Sequence, residues 1–243
     1  MGAVLYNLTT AALMLLLFLS GRTLVGVDTI TRRRLPWFAA GLTAVAVAGV
    51  VTQLCWSGAI DTFDADPARP GWWRVVTSVF MQNGGPVGTV YNLITLAVIA
   101  ALAEWFWGGP LMLLLFAGEI FLPQVVDALL GVAERGTDPR NFAGSSGATY
   151  FLGATLAAAL LLRSRVAKEK LLALAAPVLG LALWFVQDNG HGLVAAYGFA
   201  LGALVWLAGR RLIDPDRDLA GTPRRTVGSV LALVKKPRTE ASG

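Results

Sequence analysis

Apolar residues fall in seven blocks along the chain, at about 4–20, 38–56, 87–107, 111–130, 145–162, 171–187 and 190–209, with short polar segments between them. Each block approaches the roughly 20 residues that a helix needs to cross the hydrocarbon core of a bilayer. The pattern therefore predicts seven membrane-spanning helices. Tryptophans fall at the block ends (Trp37, Trp56, Trp105, Trp107, Trp184 and Trp206), where amphipathic rings sit at headgroup level.

Composition sharpens that reading. Of 243 residues, 56% are hydrophobic and only 14% charged, and the mean hydropathy is +0.63. A soluble domain carries about a quarter charged residues, so a soluble enzyme and a disordered chain are both excluded. The single cysteine, Cys55, rules out a disulfide framework, and the single histidine, His191, rules out a metal site built on two imidazoles.

The net charge of +5 is unevenly distributed. If the spans alternate, one side holds Arg22, Arg32 to Arg34, the segment Arg163 to Lys170 and the tail from Arg210, which together contain 16 of the 20 Lys and Arg residues. The other side holds only Arg69, Arg74, Arg135 and Arg140, along with Asp61, Asp64, Asp66, Glu134, Asp138 and Asp188. The positive-inside rule then predicts an outside N-terminus and a cytoplasmic C-terminus. The basic tail is an orientation signal, and no nucleic-acid partner is expected. Residues 1–20 have the length of a signal peptide but lack a preceding positive charge, so they are expected to stay as a signal anchor.

Three polar positions stand out against this background. Gly144-Ser145-Ser146-Gly147 opens the fifth span, where unpaired N–H groups and the helix dipole favour a developing negative charge. A serine there can attack a carbonyl while neighbouring N–H groups hold the oxyanion, and the glycines admit a substrate backbone. On its own, the segment reads more simply as an N-cap serine with packing glycines. His191 opens the last span from the same side, followed at helical spacing by Ala195, Gly198 and Gly202. Along the fifth span, Ser146, Tyr150, Gly153 and Ala157 form a similar row, so two small-faced helices are expected to bring Ser146 and His191 to equal depth. Asn92, six residues into an apolar span, is either an interhelical hydrogen-bonding group or an oxyanion donor.

Taken in order, these segments resemble the rhomboid family of intramembrane serine proteases over roughly residues 38–209. Trp73-Arg74 with Thr77-Ser78-x-Phe80 is similar to the family's first outer loop. Asn92, Glu104 and Gly108 resemble its second core helix. Gly144-x-Ser146-Gly147 with Tyr150 resembles its fourth, and His191 with Gly198 and Gly202 its sixth. The resemblance implies an all-α polytopic membrane protein: a six-helix rhomboid-like core over 38–209, an additional N-terminal transmembrane helix with a basic loop over 1–37, and a basic, largely disordered tail over 210–243 with a short helix at Val227 to Val234.

By the same resemblance Ser146 is the nucleophile, His191 the general base, Tyr150 the ring that positions the imidazole, Asn92 an oxyanion-hole donor and Gly147 the small residue behind the serine. No cofactor or metal is implied. The expected substrates are single-pass transmembrane proteins, cleaved near the extracytoplasmic face of what the composition suggests is a bacterial plasma membrane. Three positions depart from the family: Gly88 stands where a histidine is common, Gln82 near where a second one is, and Val194 in place of a glycine. The departures leave room for an inactive rhomboid-like protein that binds transmembrane clients. Glu104, Glu119 and Asp127, in or near spans, leave a transporter as a third reading.

Overall fold

The computed structural model describes residues 2–66, 68–130, 143–219 and 226–235, and all of its regular elements are helical. Seven long helices run up and down: α1 (Gly2–Val25), α2 (Trp37–Cys55), α5 (Gly85–Trp107), α6 (Gly109–Leu130), α7 (Ser146–Arg163), α8 (Ala167–Gln187) and α9 (Gly190–Gly209). The described residues add three short α-helices, α3 (Ala59–Phe63) and α4 (Arg74–Thr77) between α2 and α5 and α10 (Val227–Lys235) after α9, and two 3-10 turns, Val27–Arg32 and Ser78–Phe80. Six of the long helices are long and apolar enough to cross a membrane. The exception to the expected seven is α6, whose apolar stretch is the shorter Gly109–Pro123. Large apolar side chains face outward along these helices, among them Leu54, Val178, Phe185 and Leu204. Lipid, rather than water, satisfies such a surface. The chain is an all-α integral membrane protein.

Local chemistry explains most of the helix ends. Pro86 sits in the first turn of α5, where its missing N–H costs no hydrogen bond. Gly108, at φ 89°, stops α5 and lets α6 fold back at once. Asp188 closes α8 in the left-handed conformation, and Asn189 immediately caps α9.

At the centre is α7. Every residue from Ala148 to Leu160 is buried, and the helix touches α1, α5, α6, α8 and α9. Such close surrounding requires small side chains, which α7 supplies at Ala148, Gly153, Ala154 and Ala157 to Ala159. The tightest seam is with α9: a Cβ on Gly198 would lie 2.2 Å from the Phe151 carbonyl oxygen, and one on Gly202 2.5 Å from the Thr155 Cα. Of the expected row, Tyr150 faces His191 of α9, but Gly153 does not face this seam. A Cβ on Gly153 would meet Leu17 of α1 instead. Because α7 is buried on all sides, each of its faces carries small residues, and spacing alone does not say which face meets which neighbour. Another close approach pairs Gly192 of α9 with Gly180 of α8.

The helix ends sort the charge as the sequence predicts. One end gathers Arg32 to Arg34, Arg163, Arg210, Arg211 and Arg217; the other carries Arg69 and Arg74. At the basic end Arg33 is only 2% exposed and donates to the carbonyls of Val25 and Pro215, while Arg217 donates to that of Glu104. Glu104 caps α2 by accepting the Ala39 N–H at 2.7 Å, a helix-end role. Of the tail, residues 210–219 and 226–235 are described: Arg33 donates to the Pro215 carbonyl and its own carbonyl accepts the Val227 N–H, and the short helix expected at Val227 to Val234 is α10. Trp105 and Trp107 are likewise buried rather than placed at the lipid surface, donating to Arg34 O and Thr155 Oγ1. The residues Glu134, Arg135, Asp138, Arg140, Asn141 and Phe142 lie outside the described residues, as does the side chain of Asp127.

At the other end the connection between α2 and α5 folds into a compact cap. Arg74, buried, pairs with Asp64 and donates to the carbonyls of Asp61 and Thr62. The Ser78–Phe80 turn lies flat on α2, where Gly49 leaves no side chain between them. From this cap the Ser78 carbonyl accepts the Gly144 N–H at 3.0 Å, fixing the entry into α7.

Candidate functional site

Ser146 is the first residue of α7 and His191 the second of α9, so each side chain projects from a first helical turn at the acidic end of the bundle. The α7–α9 seam holds the two turns level. Ser146 Oγ lies 3.0 Å from His191 Nε2, and both residues are half-buried. The Tyr150 ring, one turn below Ser146, sits with its centroid 4.7 Å from that of the imidazole at 58° between planes. Ser145 points elsewhere: it is fully buried, and its hydroxyl accepts from Gln82 Nε2.

The histidine has a further partner that the sequence reading missed. Asn189, the N-cap of α9, is fully buried and places its Oδ1 3.1 Å from His191 Nδ1. The same oxygen accepts the His191 backbone N–H at 3.1 Å, which identifies it as the oxygen rather than the nitrogen of the amide. An amide oxygen only accepts, so Nδ1 carries the proton and Nε2 presents its lone pair to Ser146. That tautomer is the one a general base requires. The legible signal was the capping preference, since asparagine is a favoured residue immediately before a helix.

Gly144 shapes the space beside the serine. Its φ of 148° is open to glycine and strained for any L side chain. The position where its Cβ would stand is 3.6 Å from Ser146 Oγ and 4.0 Å from both the Ser146 backbone nitrogen and Asn92 Nδ2. A small vacancy is thus bordered by the hydroxyl and two N–H donors. The Ser146 N–H belongs to the first turn of α7, where no intrahelical carbonyl claims it. One proton of Asn92 Nδ2 goes to Gln82 Oε1 at 2.8 Å, leaving the other for the vacancy. Gln82 is itself clamped to α2 by paired hydrogen bonds with Gln53. Its side-chain oxygen buttresses Asn92. Gly88, one turn before Asn92, opens onto free space.

Gly147 and Glu119 explain each other. A Cβ on Gly147 would lie 2.5 Å from Glu119 Oε1, so the α6 carboxyl packs directly behind the residue after the serine. The position of Glu119 beside the N-terminal turn of α7 suits an acidic group. Gly198 and Gly202 are packing residues of the seam and do not line the vacancy.

An alanine at position 144 would fill the vacancy and strain the backbone. Gly144→Ala is expected to reduce any acyl-transfer activity by about 10²–10³-fold, the typical effect of losing an oxyanion donor, with the rate on a fixed amount of folded protein as the measurement. No family model matches the chain, and neither a curated protein nor a solved structure does.

Proposed function

We propose that the chain is an intramembrane serine endopeptidase of rhomboid-like type, cleaving transmembrane segments of single-pass proteins near one face of the membrane. The observation that carries this reading is the 3.0 Å contact between Ser146 Oγ and the unprotonated nitrogen of His191, next to a vacancy bordered by two N–H donors.

In the proposed reaction His191 Nε2 removes the Ser146 proton as Oγ bonds to a peptide carbonyl carbon. The carbonyl oxygen takes up negative charge in the Gly144 vacancy, facing the Ser146 N–H and Asn92 Nδ2. Collapse breaks the C–N bond, and the imidazolium gives its proton to the departing amine. Water, deprotonated by His191, then attacks the acyl-enzyme and releases the carboxyl product with Ser146 restored. Asn189 keeps its oxygen on Nδ1 throughout and stabilises the imidazolium. The scissile peptide has to leave its helical hydrogen bonds to reach Ser146, so substrates with helix-destabilising residues near the membrane face are favoured. Co-expression in native membranes with a single-pass substrate of that type tests the proposal: a shortened product should accumulate, and an intact substrate at all expression levels argues against it.

The distribution of basic residues supports an orientation with the site facing the extracytoplasmic side. Cys55 offers a direct check, since it is free, exposed and at the site end of α2. A membrane-impermeant maleimide added to intact cells is expected to modify it. Protection until the cells are lysed would reverse the orientation.

One observation favours a second reading. Gly88 leaves open space on the Asn92 face, and Asn92 gives one of its two amide protons to Gln82. A site with so few donors fits a client-binding rhomboid-like protein without turnover. Binding of the substrate without product, and without reaction of Ser146, would select it.

A further inference from the structure

The N-terminal helix α1 packs against α5, α7 and α8, and one of its residues reaches both groups that hold the imidazole. The Thr10 carbonyl oxygen accepts from the Tyr150 hydroxyl at 2.8 Å. The Thr10 hydroxyl oxygen accepts from Asn189 Nδ2 at 2.7 Å. Tyr150 lies against one side of the His191 ring and Asn189 holds its Nδ1, so a single residue outside the α7–α9 pair joins the two.

The direction of these bonds is fixed from α1 outward. The Thr10 hydroxyl donates its one proton to the Tyr6 carbonyl at 2.7 Å, so towards Asn189 its oxygen only accepts. Asn189 must therefore turn its NH2 group to Thr10 and its oxygen to His191, the same orientation that the His191 backbone N–H demands. A chain of donors runs from Ser146 through His191, Asn189 and Thr10 to a backbone carbonyl of α1.

We infer that Thr10 is a positioning residue for the Ser146–His191 pair, which makes α1 a working part of the site rather than an anchor alone. This rests on the protease reading above. Removing the hydroxyl leaves the NH2 of a fully buried amide without its partner. The amide then shifts to find another, and the imidazole loses the hold on Nδ1.

The test is the rate at which Ser146 of the full-length protein, in detergent or lipid, displaces fluoride from a fluorophosphonate to form a phosphonyl–serine adduct. Thr10→Val keeps the shape and removes the hydroxyl, and is expected to slow labelling about ten- to a hundredfold, as loss of an outer hydrogen-bond partner does elsewhere. Thr10→Ser, which keeps the hydroxyl, should restore most of the rate. Thr9→Val is the control: it removes a neighbouring bond from α1 to Gln187 at 3.0 Å that does not reach the imidazole, and should label as the parent does. Thermal unfolding of all three reports the folded fraction.

If the parent protein itself does not label, the protease reading fails. If the parent labels but Thr10→Val labels equally fast, the positioning role alone falls. Equal losses in Thr10→Ser or Thr9→Val would also overturn it, because the effect would then follow the attachment of α1 and not the hydroxyl.

Discussion

Replacing Ser146 or His191 with alanine is expected to lower substrate cleavage by about 10⁴-fold or more, into the background of the assay, because neither group can start acyl transfer without the other. Protein levels and the melting transition should change little. Ser146→Ala removes one half-buried hydroxyl, for which the net hydrogen-bond contribution is about 1 kcal/mol. The double variant is the more discriminating form of the prediction. Residues that act as a unit are not additive, so Ser146→Ala/His191→Ala should be no slower than either single change. Ser145→Ala separates the two serines: its hydroxyl faces Gln82, and cleavage should survive its loss. Cleavage that persists in Ser146→Ala and vanishes in Ser145→Ala would reverse the assignment.

A second large effect is expected from Gly198→Val. The side chain would start 2.2 Å from the Phe151 carbonyl oxygen, which belongs to the backbone of the most buried helix and has nowhere to retreat. Overpacking in a filled core costs about 1–3 kcal/mol, and more where neither side can relax. Here relief requires α9 to move away from α7. That movement acts on the Ser146–His191 contact as well as on stability, so Gly198→Val should lower the melting temperature and the cleavage rate together. Gly41→Ala, on α2, is the matching control. A Cβ there meets nothing within 4 Å, and alanine is favoured over glycine in a helix by roughly 0.5–1 kcal/mol. A Gly198→Val protein that melts and cleaves like the parent would show that the seam tolerates what the geometry forbids.

These two predictions mark where the sequence was informative. The meeting of Ser146 and His191 was legible because both open apolar spans from the same side and small residues follow His191 at helical spacing. The identity of the α7 face was not. Phe151 and Thr155, rather than Gly153 and Ala157, receive Gly198 and Gly202, since a helix buried all round carries no polar stripe to orient it. Helix ends beyond the apolar blocks were hard to read for a related reason. The α8 helix begins at Ala167 and continues through Lys168, Glu169 and Lys170, with Glu169 accepting from the Ser164 hydroxyl at 2.6 Å. Hydropathy alone counts those charges as loop.

Asn189 was hidden by its place. It stands in the short break between α8 and α9, where a turn residue needs no further explanation. Its contact to Thr10 spans 179 residues of sequence, a relation that no local pattern encodes. The role of Gln82 as the clamp on Asn92 rests on its paired bonds to Gln53, 29 residues away in sequence. Glu119 gained an explanation once Gly147 was seen to leave room for it.

The most direct measurement is the site of covalent modification. Treatment of the full-length protein in membranes with a fluorophosphonate, followed by peptide mass spectrometry, should find the adduct on Ser146 alone and find none in His191→Ala. An unmodified Ser146 in folded parent protein, or an adduct that forms equally well without the imidazole, would contradict a serine activated by His191.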